Sequence, residues 1–347
     1  MPALSSSQPE LPGKGRQFLI FLLFFCISWG LGYPILNRYY PPEASGLSDV
    51  RYYADIVTGS AAASSEHVRT RILVPLLARP FYLLARGRSG TWNPVMFGLL
   101  MADSLFTAVT AGLMLRVGAR TTGSYSVGLA GALLYLLNFA VPNLRLAGLV
   151  DAGEGLFLLA LVWSLLRSQY REVPLWMLLG TLVKESFVPF GFVIAGTWWL
   201  VERKRLGQPG REALWIAGGG LLGLVTLAAV QWQVSGALVM PWEFAASLHG
   251  NKVYLGTLVS SILDRNLWYV FLWLLPLGLP KLKEFPRPWL AATGAAAVVA
   301  FALNSYYGGH PGTVGRALFS IAGPLLGLSA AQLLLPHRPT KAGISGC

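Results

Sequence analysis

The stretch FLIFLLFFCISWGLGYPIL, residues 18–36, decides the fold because it is an uncharged apolar run that follows Lys14 and Arg16. A helix needs about 20 apolar residues to cross the hydrocarbon core of a bilayer. Similar runs recur along the chain and are continuous rather than alternating, which predicts membrane helices and not barrel strands. They occupy residues 94–115, 126–144, 152–166, 175–201, 214–234, 267–279, 289–303 and 317–335.

The composition excludes the soluble globular classes. Of 347 residues, 54% are hydrophobic and only 12% are charged, against roughly 25% charged in a soluble domain. The net charge of +12 is interpreted as topology-setting flanks of membrane helices, so no nucleic-acid partner is predicted. Cys26 and Cys347 support no disulfide framework. Residues 18–36 are too long for a cleaved signal peptide and lack a small-residue cleavage site, which favours a retained signal anchor.

Two stretches leave the topology open. Residues 72–85 are short for a crossing and contain Arg79, whereas residues 175–201 are long and contain Lys184 and Glu185 at their centre. Either 72–85 lies on the surface and 175–201 turns back as a hairpin near Lys184, which we prefer, or 72–85 crosses and 175–201 is one helix. In the preferred version Arg71, Arg79 and Arg86 share one stripe of an amphipathic interfacial helix. That version also treats Arg145 as an external flank.

Both versions predict an all-α polytopic membrane protein with about ten transmembrane helices. The predicted organisation is a cytoplasmic tail (1–16), a first membrane module (17–205) that includes an external loop (37–92), C-terminal membrane helices with external loops (206–336) and a second cytoplasmic tail (337–347). A multi-pass protein of a plasma membrane, in a bacterium the inner membrane, is the expected location. The preferred topology gathers ionisable residues on the external face, which favours chemistry at one interface over midplane transport.

The first loop contains an acidic residue, two tyrosines and a basic segment in a fixed order. Asp49 follows the first membrane helix, Tyr52 and Tyr53 come three and four positions later, and a basic amphipathic segment begins near Arg71. A second acidic site stands at Asp151, and a glycine-containing apolar stretch ends in GTLVKE, residues 180–185. The order resembles the GT-C superfamily of lipid-dependent membrane glycosyltransferases over roughly residues 15–205. At 347 residues the sequence is shorter than many members, and we expect no counterpart of their large extracellular C-terminal domain within it.

The resemblance implies a fold, a reaction and a set of site residues. The expected activity is transfer of a sugar from a polyprenyl-phosphate carrier to a hydroxyl of a lipid, glycan or protein acceptor, with inversion and on the non-cytoplasmic face. Asp49 would be the general base, with Asp151 and Glu154 shaping the acceptor site. The leaving phosphate needs cationic stabilisation. The predicted substrate-binding residues are Arg51, Tyr52, Tyr53, Arg69, Arg71, Lys184, Glu185, His310 and Arg316.

Each residue also has a plainer interpretation. Asp49 could be a solvated acid that caps a helix, the sequence from Asp151 to Glu154 fits a capping box, and Lys184 with Glu185 could form simple ion pairs. The four histidines lack metal-ligand spacing, so no metal is required, although Asp49 with Asp151 or Glu154 could hold Mg or Mn. A lipid-linked-sugar flippase or other transporter, or a non-catalytic scaffold of the same fold, stays open as an alternative function.

Overall fold

Helices make up nearly all of the regular structure. The computed structural model describes residues 13–38, 48–60, 70–88, 90, 92–207, 209–236, 255–306 and 313–335, and no strand occurs among them. The helices in chain order are α1 (Lys14–Gly32), α2 (Ile35–Arg38), α3 (Ser48–Thr58), α4 (Leu73–Ala85), α5 (Pro94–Thr122), α6 (Tyr125–Leu136), α7 (Asp151–Leu166), α8 (Val173–Val183), α9 (Phe187–Glu202), α10 (Pro209–Ser235), α11 (Leu255–Ile262), α12 (Arg265–Phe271), α13 (Leu274–Gly278), α14 (Arg287–Tyr306) and α15 (Thr313–Leu334).

The lengths of these helices fit an integral membrane protein. Among the described residues, five helices (α1, α5, α10, α14 and α15) are long and apolar enough to cross a membrane. The segments Gly256–Phe271 and Leu274–Glu284 would together form a sixth span that is bent by 67°. The apolar helices α4, α6 and α9 are shorter. The expected all-α class is therefore found among the described residues, and its five or six candidate spans, identified by length and composition, are compatible with an integral membrane protein.

Local signals explain where the longest helix begins and ends. The side chain of Asn93 accepts hydrogen bonds from the backbone N–H groups of Val95 (2.9 Å) and Met96 (3.2 Å), and Pro94 occupies the first helical position. Both features are typical of a helix N-terminus. At the other end Gly123 has a φ of 70°, a left-handed conformation that glycine adopts without strain. Helix α5 thus extends seven residues beyond the predicted limit at 115.

The stretch 175–201 is broken near Lys184, as the preferred topology predicts. Lys184 has an extended backbone (φ −161°, ψ 135°), so α8 ends at Val183 and α9 begins at Phe187. The two helices fold back on each other, because the thioether sulfur of Met177 in α8 packs against Gly191 in α9. The Phe187 ring likewise packs against Gly180. This hairpin (α8–α9) presents Lys184 and Glu185 at its tip.

Helix α4 packs along α5 with Val74, Pro75 and Ala78 buried. The predicted stripe of three arginines is wrong, because Arg71 and Arg86 lie outside the helix Leu73–Ala85. Arg71 is largely buried, with 11% of its side chain exposed, because it binds the carboxylates of Asp49 and Glu185.

The predicted helix 126–144 ends early. The Asn138 side chain accepts from the backbone N–H of Ala140 and donates to the backbone carbonyl of Val270, both at 2.9 Å, so the chain leaves the helix after Leu136. One π-helical turn follows at Val141–Arg145. This turn carries Arg145 inward to 1% exposure, so Arg145 is not a solvent-exposed flank, and its external side stays a prediction.

Candidate functional site

The charged cluster at one end of the helices is built from five separate segments. They are the first turns of α3, α7 and α15, the chain just before α4, and the tip of the α8–α9 hairpin. The backbone N–H of Ile72 donates to the carbonyl of Leu182 at 3.0 Å, which ties the chain before α4 to the end of α8. This tie brings Arg71 beside Glu185.

Arg71 is the centre of one half of the cluster. Its Nε and Nη2 donate to the two carboxylate oxygens of Glu185 at 2.9 and 2.6 Å, which is the bidentate fork that a guanidinium forms with a carboxylate. Its Nη1 donates to Asp49 Oδ2 and to Tyr53 Oη, both at 3.1 Å. The Asp49 side chain is 27% exposed and that of Glu185 is 22% exposed, so both face partly toward solvent. The predicted base therefore lies at the rim of the cluster.

Lys184 is the centre of the other half. Its Nζ donates to Asp151 Oδ1 at 2.8 Å and to Glu154 Oε2 at 3.1 Å. Glu154 also accepts from the Ser186 hydroxyl at 2.5 Å. Arg316 Nη1 lies 3.8 Å from Asp151 Oδ2. This half is more deeply buried, because the Asp151 and Glu154 side chains are 4% and 0% exposed.

The capping-box interpretation of residues 151–154 is wrong. Val150 precedes the first turn of α7, and no side chain caps that end. Asp151 and Glu154 are directed instead at Lys184, which is 33 and 30 residues away. Their place in the first helical turn is still favourable, since the helix dipole stabilises negative charge there.

Burial and ion pairing together set the protonation states at the rim. Burial by itself would raise the pKa of Glu185, but the charge and hydrogen bonds of Arg71 outweigh it and hold that pKa at about 2. Burial raises the pKa of Tyr53 to about 12. At neutral pH Glu185 is therefore an anion, and Tyr53 is a neutral phenol that accepts a hydrogen bond from Arg71.

The cations of the cluster differ in how many donors are engaged. Arg71 uses Nε, Nη1 and Nη2 on its three partners, and Lys184 is held between two carboxylates. Arg316 has a buried Nε with no hydrogen-bond partner among the described residues, and its contact with Asp151 is longer than a hydrogen bond. Arg316 is therefore the cation with the most hydrogen-bonding capacity left for a ligand.

The other predicted residues are placed less centrally or cannot be placed. Arg51 is exposed on α3, and Tyr52 is half-buried against the core. Arg69 and His310 lie outside the described residues. Asp55, six residues after Asp49 on α3, accepts from the Ser60 hydroxyl at 3.4 Å, and its backbone carbonyl accepts from the backbone N–H of Gly59. These contacts give Asp55 a structural role at the end of α3.

Two residues in or near the charged cluster, Ser186 and Arg145, were not predicted from the sequence. Ser186 follows the Lys184–Glu185 pair directly, so the adjacent charged residues were a signal that could have drawn attention to it. Arg145 donates to the Ser320 hydroxyl at 3.1 Å, and nothing in its neighbourhood in the sequence marks it as buried.

No cluster of three or more His, Cys, Asp or Glu that could hold a metal occurs in the described part of the chain. Asp49, Asp151 and Glu154 each pair with a protein cation instead. This arrangement does not fit an oxygen-ligand Mg or Mn site. Searches for similarity add no further assignment, since no protein-family model and no curated protein matches the chain.

Proposed function

We propose that the protein is a membrane glycosyltransferase of GT-C type. It transfers a sugar from a polyprenyl-phosphate carrier to an acceptor hydroxyl on the non-cytoplasmic face, with inversion at the anomeric carbon. The observation that carries the proposal is the charged cluster. Residues from five segments, which the sequence suggests as base, acceptor site and phosphate site, lie together at one end of apolar helices.

The reaction needs a base that substrate can reach. In the proposal the acceptor oxygen attacks the anomeric carbon, its proton passes to Asp49, and the bond from that carbon to the phosphate oxygen breaks, with its electron pair leaving on the phosphate. Asp49 suits this role because Arg71 engages its Oδ2 while more than a quarter of the side chain is exposed. Asp151 and Glu154 are more deeply buried and would shape the site through Lys184 rather than contact the proton.

Arg316 is the proposed main contact of the leaving phosphate. It stands in the first turn of α15, and helix N-termini favour anions. Its Nε has no hydrogen-bond partner among the described residues, whereas Arg71 and Lys184 already bind carboxylates. The cluster as described holds four carboxylates and three cations (Arg71, Lys184 and Arg316), so an arriving phosphate also needs Arg51, Arg69 or His310 to balance its charge.

The proposed topology has ten crossings with the cluster on the external side of a plasma membrane. It adds α6, α7, α8 and α9 as short or tilted crossings to the six spans identified by length and composition. Helices of 11 to 16 residues reach only about 16 to 24 Å, which requires local thinning of the bilayer or partial insertion. In a background without Cys26 and Cys347, Arg116→Cys and Asn143→Cys test it at two exposed positions: only the cysteine at 143 should react with an impermeant reagent from outside.

A transporter is the second candidate, and Asp103 is the observation that favours it. Asp103 is fully buried within α5, and acids inside membrane helices commonly mark ion or substrate pathways. Two single substitutions distinguish the transporter from the glycosyltransferase. Asp103→Asn should abolish transport but spare transfer, whereas Asp49→Asn should do the reverse.

The test of the enzyme uses proteoliposomes and tritiated polyprenyl-phosphate hexoses and pentoses, with membrane lipid extract as acceptor. Asp49→Asn should lower the transfer rate by about 10²- to 10⁴-fold, the usual contribution of a general base. Asp55→Asn, on the same helix, is the matched control and should leave the rate unchanged. Equal rates for wild type and Asp49→Asn would remove Asp49 from the mechanism.

A separate binding experiment tests the phosphate site. Arg316→Gln should weaken binding of polyprenyl phosphate in nanodiscs by about 10- to 100-fold, the range expected for hydrogen bonds to a charged group. Binding of the matching polyprenol, which lacks the phosphate, should not change. Arg116→Gln removes an exposed arginine near the other end of α5 and serves as the control.

A further inference from the structure

Arg145 is a buried cation directly beneath the charged cluster. Its guanidinium carbon lies 5.3 Å from the centre of the Tyr135 ring and 5.0 Å from that of the Phe319 ring. Its Nη2 donates to Ser320 Oγ at 3.1 Å. The side chain therefore joins α6 and α15 around a single charge.

Helix α7 leaves room for this guanidinium through one glycine. A methyl group at Gly155 would overlap with Arg145 Nη1 and Nη2, so the guanidinium packs directly on the backbone of α7. Any larger residue at position 155 would push the guanidinium away from Ser320. The close approach of α7 and α15 here depends on both Gly155 and Arg145.

The spacing along the two helices connects this contact to the candidate site. Gly155 lies four residues after Asp151 on α7, and Ser320 lies four residues after Arg316 on α15. Residues four apart lie on the same face of a helix, about one turn from each other. The contact of Arg145 with Gly155 and Ser320 is therefore one turn beneath the pair of Asp151 and Arg316, on the facing sides of the same two helices.

We infer that Arg145 is a positioning residue that sets the separation and rotation of α7 and α15, and thereby aims Arg316 at the ligand phosphate beside Asp151. A guanidinium suits this task because it is planar, stacks on aromatic rings and donates in fixed directions, which a lysine or an apolar side chain cannot reproduce. A buried charge is weak evidence for a gain in stability and is better explained by geometric specificity. This inference rests on the proposed phosphate site at Arg316.

The test measures how strongly the protein prefers polyprenyl phosphate over the polyprenol that lacks the phosphate. Wild type and variants in nanodiscs are titrated with polyprenyl phosphate and with the matching polyprenol, and the ratio of the two affinities is measured. Ser320→Ala removes only the acceptor of the Arg145 hydrogen bond and should lower that ratio by about fivefold, the usual effect of one hydrogen bond. Arg145→Met fills a similar volume without the donors and should lower it by more than tenfold.

The control is a second buried serine on α15. Ser329→Ala removes a hydrogen bond to the carbonyl of Gly278 at the other end of the helix, and the ratio should not change. A purely structural role of Arg145 would weaken phosphate and polyprenol binding equally. That outcome, or a wild-type ratio in Ser320→Ala, would overturn the inference while leaving the phosphate site intact. A wild-type protein without phosphate preference would overturn the proposed site and this inference together. If Arg145→Met does not fold, Ser320→Ala against Ser329→Ala decides.

Discussion

Replacement of Arg71 by glutamine should destabilise the protein through the two carboxylates that lose their cation. The Glu185 pKa is about 2 instead of the ordinary 4.5, and each pKa unit corresponds to about 1.4 kcal/mol. Glu185 alone then accounts for roughly 3 kcal/mol at neutral pH. Because Glu185 and Asp49 are 22% and 27% exposed, solvent screens part of this interaction, and about 2–3 kcal/mol is the expected loss.

The same reasoning fixes the sign of the pH dependence. The Glu185 pKa is lower in the folded than in the unfolded state, so its stabilising contribution is complete above about pH 4.5 and is lost as the pH falls toward 2. The stability difference between wild type and Arg71→Gln should therefore shrink by about 1 kcal/mol between pH 6 and pH 3.5. The assay is reversible unfolding in mixed detergent micelles, followed by tryptophan fluorescence.

Arg51→Gln is the matched control because it removes an exposed arginine near Asp49 on α3. Its effect should stay within about 0.5 kcal/mol, as for most surface substitutions. A loss below 1 kcal/mol in Arg71→Gln, or a loss that does not vary with pH, would refute the view that Arg71 holds the rim of the cluster together.

Two further variants test the deeper half of the cluster and the hairpin. Lys184→Met should destabilise by about 3–5 kcal/mol, because it leaves Glu154 buried without a cation and Asp151 with only the longer contact to Arg316; a loss under 1 kcal/mol in the same unfolding assay would contradict this pairing. Gly180→Ala should cost about 1–3 kcal/mol, since the new methyl meets the aromatic ring packed against that glycine. Gly196→Ala, in open space on α9, should instead be neutral or stabilising by up to about 1 kcal/mol in thermal unfolding, and equal losses at both positions would contradict the hairpin packing.

Apolar periodicity and charge placement predict a large part of this fold. The long uncharged runs become helices, and the pair of Lys184 and Glu185 marks the hairpin turn because charges are costly within an apolar span. The predicted topology places Asp49 and Asp151 on the same side of the membrane, which suggests that they belong to one region. These features depend on position along the chain, which the sequence gives directly.

Partner choice could not be predicted, because it depends on directions of side chains from distant segments. Asp151 and Glu154 have the spacing of a capping box, in which side chains bind backbone N–H groups. Asp151 instead accepts a hydrogen bond from the charged Lys184 ammonium at 2.8 Å, which is a stronger interaction. Arg71 follows the spacing of an amphipathic stripe but lies just before the helix. The burial of Arg145 depends on the π-helical turn and on the room left by Gly155, and neither has a signature in the sequence.

The most direct measurement is a density map of the protein in a nanodisc with bound polyprenyl phosphate. The account predicts that the phosphate lies against the Arg316 guanidinium, at the start of α15, with the adjoining carbon chain along the apolar helices and Asp49 facing the same chamber. Phosphate density away from Arg316, or Asp49 directed into bulk solvent on the opposite side of the cluster, would contradict it.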